Sequence, residues 1–67
     1  MMIKGTTKWF NDQKGFGFVE SAGKDYFIHF KEINMPGFKS LKEGDKVCFE
    51  PTQSAKGPMA TKLILDE

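Results

Sequence analysis

Lys14-Gly15-Phe16-Gly17-Phe18-Val19 and Tyr26-Phe27-Ile28-His29-Phe30 are the two stretches whose alternation decides the fold. Read as β-strands, they place side chains two apart on a common face. Phe16 and Phe18 then point one way, with Gly15, Gly17 and Val19 the other; Phe27 and His29 share a face, opposite Tyr26 and Ile28. The glycines choose between the two possible cores. A face built on Gly15 and Gly17 can curl tightly around the inside of a small barrel, whereas the ring-bearing face is too bulky for it. The rings are therefore expected to face water.

Exposed rings in such number call for a planar partner, and nucleic-acid bases offer a π-face whatever their identity. Cations are interleaved with the rings: Lys8 precedes Trp9 and Lys14 precedes the first run, so groups suited to phosphates alternate with groups suited to bases. The chain has ten Lys, no Arg and nine acids, for a net charge of +1. A strong overall field is thus not what would hold a polyanion; local placement is. Absence of Arg also argues against reading guanine edges in a duplex groove and favours single strands.

The 67 residues suit one domain, 1–67, and a chain this short buries only about 60% of its unfolded surface. Five strands are predicted, at Lys4–Asn11, Gly15–Ser21, Asp25–His29, Lys46–Gln53 and Met59–Leu65, with no helical period of useful length. Asn11-Asp12-Gln13-Lys14-Gly15 and Ser21-Ala22-Gly23-Lys24 read as turns of an antiparallel meander, and Ser54-Ala55-Lys56-Gly57-Pro58 as the last hairpin loop. The long connection from Phe30 to Asp45 contains Pro36, Gly37 and Gly44. This pattern predicts an all-β fold, a five-stranded antiparallel barrel of the OB type, with an SH3-like barrel as the alternative. Strict alternation would put Thr7 and Trp9 on one face; a β-bulge or strong coil between Thr7 and Asn11 is expected to turn Trp9 outward.

A single cysteine, Cys48, excludes an internal disulfide and reads as a half-exposed strand residue opposite Val47 and Phe49. His29 has no second ligand at a useful spacing, so a ring role is favoured over a metal site. No apolar stretch matches a signal peptide or a membrane span, making the cytoplasm the expected compartment. The chain lacks a phosphate-binding loop ending in Gly-Lys-Ser/Thr and any constellation of base and nucleophile, so neither an enzyme nor a cofactor is expected.

These same residues resemble the cold-shock domain, and especially the small bacterial cold-shock proteins, over nearly the whole chain. Gly5 with Lys8-Trp9-Phe10-Asn11 is similar to the family's opening strand, Lys14 through Val19 to its first ribonucleoprotein motif and Phe27-Ile28-His29-Phe30 to its second. Gly37-Phe38-Lys39-Ser40-Leu41, Glu43-Gly44, Val47, Phe49 and Lys56-Gly57-Pro58 continue the match. The resemblance implies an OB barrel that binds single-stranded RNA and single-stranded DNA and acts as an RNA chaperone or regulator of transcription and translation. A protein-interaction module is the alternative. It further implies stacking by Trp9, Phe16, Phe18, Phe27, His29, Phe30 and Phe38, and polar or cationic contacts from Lys8, Asn11, Lys14, Asp25, Lys39 and Lys56, with Gly57 and Pro58 shaping the loop. A monomer is expected. Thr7 and Tyr26 stand where the family commonly has Val, Lys31-Glu32 replaces a small pair, and Pro36 is a further departure. Leu63-Ile64-Leu65 is an unusually apolar last strand, read as barrel packing.

Overall fold

The computed structural model describes residues 1–34 and 40–66. Five strands follow one another: β1 (Ile3–Asn11), β2 (Phe16–Ser21), β3 (Lys24–His29), β4 (Lys46–Ser54) and β5 (Gly57–Leu65). A single 3-10 turn, η1 (Phe30–Glu32), follows β3. The strands close into a barrel in the order β1-β2-β3-β5-β4. Each predicted strand is present, with one end where predicted and the other moved by a residue or two.

The meander and the last hairpin form as the turn residues predict. β1 pairs antiparallel with β2, β2 with β3 and β4 with β5, the last two strands joined across Ala55-Lys56 with Ser54 opposite Gly57. One expectation is corrected: the barrel is not purely antiparallel, because β3 and β5 run parallel where Phe27 meets Met59. Parity is the reason. Directions cannot alternate all the way around a closed ring with an odd number of strands, so one neighbouring pair must be parallel.

Alternation fills the interior. Val19, Ile28, Val47, Phe49, Ala60 and Leu63 lose all their solvent exposure, joined by Ile33 and Leu41 from the connections. Burying each large aliphatic or aromatic side chain is worth about 1.5 to 3 kcal/mol. Tyr26, expected to face inward, is 8% exposed and lies 5.0 Å from Phe49, ring to ring. Cys48 is half-buried between two fully buried neighbours, as its alternation predicts.

The glycines of the first aromatic run act through close approach. At Gly17, a Cβ would run into the Trp9 carbonyl oxygen and come within 2.7 Å of Phe10 Cα, both backbone atoms of the neighbouring strand. β1 and β2 can lie this close only because no side chain separates them. Gly15 precedes β2 with φ +79°, a conformation that L side chains avoid, and its missing Cβ leaves room for the Phe30 ring, whose Cδ1 would otherwise be 2.7 Å away.

Candidate nucleic-acid interface

The predicted bulge lies between Thr7 and Trp9. Thr7 pairs with Val19 and Trp9 with Phe18, leaving Lys8 as the extra residue on β1. Its effect is to reverse the face: Thr7 is 2% exposed and lines the core, while Trp9 is 44% exposed outside it. Without the extra residue both side chains would share a side.

Outside the barrel, neighbouring strands bring the rings together. Phe18 stands opposite Phe27 and Phe16 opposite His29 across β2 and β3. Trp9 lies 6.0 Å from Phe16 and 5.6 Å from Phe18, and Phe27 lies 5.7 Å from Phe16 and 5.8 Å from Phe18, centroid to centroid. These spacings are those of mutually supporting aromatic pairs. The rings shield one another laterally, so Phe16, Phe18 and Phe27 are half-buried while still on the outer surface. A second pair, His29 and Phe30, lies 4.7 Å apart, centroid to centroid, with the rings tilted by 35°. Phe30 is tied down at its backbone, where its N–H donates to the Gly15 carbonyl at 2.8 Å.

His29 is oriented as well. Its Nδ1 accepts from the Lys31 backbone N–H at 3.2 Å, which in the neutral ring leaves Nε2 as the hydrogen-bond donor. The imidazole thus offers both a stacking face and a directed N–H.

Polar groups surround the rings. Lys8 Nζ donates to both carboxylate oxygens of Asp25, at 3.2 and 3.3 Å, across the β1–β3 side of the platform. Both side chains are about half exposed, 45% and 50%, and a surface pair of this kind is worth at most about 1 kcal/mol. Lys8 can exchange that carboxylate for a phosphate at little cost. Asn11 shapes its turn: Oδ1 accepts from the Lys14 N–H at 2.9 Å and its carbonyl accepts from the Gly15 N–H at 2.8 Å, presenting Lys14 exposed at the tip. Lys56 is exposed at the β4–β5 turn, where its N–H donates to Ser54 Oγ at 3.2 Å; Gly57 adopts φ +107° and Pro58 follows in β5. Ser40 Oγ donates to Asp12 Oδ1, linking the long connection before β4 to the β1–β2 turn. Phe38 and Lys39 lie outside the described residues. The structure therefore brings together Trp9, Phe16, Phe18 and Phe27, sets His29 and Phe30 beside them, and distributes Lys8, Asp25, Lys14 and Lys56 around them.

Residues outside the predicted site also border this surface. Beside Phe27 and His29 is an open, mostly apolar depression of about 450 Å³, bordered also by Met59, Ala55, Lys31 and Lys56. Met59 reads in sequence as one more apolar strand residue. Its contact with the platform depends on the β3–β5 closure, which only a closed barrel creates.

Comparison with known proteins agrees with this geometry. Residues 3–65 match the family model described as the 'Cold-shock' DNA-binding domain. The chain is 55% identical over 64 residues to Cold shock-like protein CspE of Escherichia coli (strain K12), covering 92% of this chain and 93% of that protein. It is 51% identical over 65 residues to Major cold shock protein CspA of Bacillus anthracis, covering 96% and 97% respectively. Among solved structures, Drosophila Unr CSD456 superposes with a TM-score of 0.80 at 20% identity, covering 100% of this chain and 27% of that one, which is likeness of fold. With the barrel, the aromatic motifs and a family match over nearly its full length in agreement, this chain belongs to the cold-shock domain family.

Proposed function

We propose that this protein binds single-stranded RNA and single-stranded DNA across its ring platform, and thereby acts as an RNA chaperone and a regulator of transcription or translation. One observation carries the reading: Trp9, Phe16, Phe18 and Phe27 form a contiguous aromatic surface on the outside of a barrel that has its own separate core. Bases stack on Trp9, Phe16, Phe18, Phe27, His29, Phe30 and Phe38. Phosphates and base edges meet Lys8, Asn11, Lys14, Asp25, Lys39 and Lys56, with Gly57 and Pro58 setting the loop. The protein acts as a single domain, as a monomer in the cytoplasm, by binding alone and without a cofactor.

The energetics suit a chaperone that consumes no nucleotide. A base stacked on an aromatic side chain gains about 1 to 3 kcal/mol, against about 1.4 kcal/mol for an average DNA stacking step. Several rings acting together compete with weak intramolecular pairing, trapping bases as they open.

Trp9 is the only tryptophan, so its fluorescence reports on the platform directly. Thymine or uracil runs are expected to quench it and to bind more tightly than a stable hairpin stem of matched length, because pairing hides the base faces. Equal affinity for the stem would overturn the stacking mechanism. No response to any oligonucleotide at low salt would favour a protein-interaction module instead.

A further inference from the structure

The platform has a continuation on the far side of His29. The depression over Met59 shares Phe27 and His29 with the ring surface. A second, more polar depression of about 280 Å³ adjoins it across η1, and Lys31 and Glu32 border both. Lys62 also borders this second depression. Lys56, Lys31 and Lys62 therefore succeed one another along a path that begins at the rings and crosses η1 toward β5.

The backbone beneath that path is fixed at several points. The Lys31 N–H donates to His29 Nδ1 at 3.2 Å, Ile33 N–H to the Phe30 carbonyl at 3.2 Å, and Asn34 N–H to the Leu63 carbonyl at 2.6 Å. Ile33 is buried in the core beneath them. Glu32, the carboxylate bordering both depressions, is engaged by β5: its Oε1 accepts from the Lys62 backbone N–H at 3.3 Å. Lys31 and Lys62 are exposed, and neither takes part in the ion pairs formed among the described residues.

Lys62 carries a second signal. The β4–β5 register shifts between Cys48 and Glu50, and Lys62 sits at the irregularity with φ +52°. Left-handed backbone suits glycine or asparagine better than a long cationic residue. A lysine is present all the same, where η1 meets β5.

We propose that the nucleic-acid surface extends past His29, with a further base set against Met59 and Lys31 and Lys62 contacting two additional phosphates of the same strand. The proposal rests on the single-strand reading above. The thioether of Met59 is soft and polarizable, suited to an aromatic face of any identity. Continuity with the rings and the run of cations favour a polynucleotide over an isolated anion.

Length dependence tests it. Affinities of the full chain for thymine runs of about 6 and about 12 nucleotides are compared with those of Lys31→Gln/Lys62→Gln, within the site sizes of this fold. Lys42→Gln/Lys46→Gln, on exposed positions away from the path, controls for the same loss of charge. For the longer run, raising salt from about 50 to about 200 mM is expected to weaken the Lys31/Lys62 variant about sevenfold less than the wild type, the result of two phosphates at about 0.7 each in log-log slope. For the shorter run the two proteins should behave alike. A variant indistinguishable from wild type on the longer run overturns the proposal, as does an equal effect at both lengths or an equal effect from the control pair. Wild-type binding that is strong but identical for both lengths removes this extension alone. Failure of wild type to bind either run removes the single-strand reading and the extension together.

Discussion

Lys8 is the residue on which the site turns, because as the extra member of β1 it sends Thr7 inward and Trp9 outward. The consequence for Thr7 is unfavourable. Its Oγ1 is buried without a hydrogen-bond partner among the described residues, although its backbone is satisfied by Asp45 and Gly44 at 2.8 Å each. Leaving such a hydroxyl unpaired costs about 1 to 3 kcal/mol, and valine has the same shape without it. Thr7→Val is therefore expected to raise stability by about 1 kcal/mol, or roughly 4 to 8 °C in Tm for a domain of this size, while leaving oligonucleotide affinity unchanged. Thermal unfolding and Trp9 titration measure the two effects; lower stability would mean that the hydroxyl has a partner after all. Sequence alone placed Thr7 inside, but whether the hydroxyl is satisfied depends on neighbours far along the chain.

Strand β2 carries the proposed binding surface on one face and the core on the other. Phe16 lies outside among Trp9 and Phe27, whereas Val19 is fully buried. Phe16→Ala is expected to lose about 1 to 3 kcal/mol of affinity with little effect on stability. Val19→Ala should lose at least about 1 kcal/mol of stability, with affinity per folded molecule nearly intact. Paired denaturant titrations and binding curves at low temperature separate the two; the reverse outcome would mean that the faces are assigned inside out. This alternation was legible in the sequence because strand periodicity is local, and the glycines identified the concave side. The same locality explains what was missed. Met59 borders the platform only because β3 meets β5, a contact between residues more than thirty positions apart that no short-range pattern announces.

For the molecule as a whole, a net charge of +1 limits the long-range field, so salt should matter through individual contacts. If about three lysines from Lys8, Lys14, Lys39 and Lys56 meet phosphates, the log-log salt slope for a strand short enough to cover only the platform should be about −2. Equilibrium titration over a salt series measures it, and a slope steeper than about −5 would mean that ionic contacts, not rings, dominate. Strand number, the β1–β2–β3 meander and the β4–β5 hairpin were legible in the sequence; which strands close the ring was not, nor was the parallel neighbour, although an odd count already required one. That parallel seam has a consequence of its own. Its strand ladder consists of one pair, Phe27 with Met59, supplemented by the bridge between Ile33 and Leu63. The remaining ladders are several pairs long. A nucleic acid lying over Phe27 and Lys56 at once straddles the seam like a clasp. Binding and closure of the ring are then thermodynamically linked: by mass action, ligand raises the closed population, and a chain whose barrel has sprung open keeps the rings of β1 to β3 but loses the surface that lies across the seam.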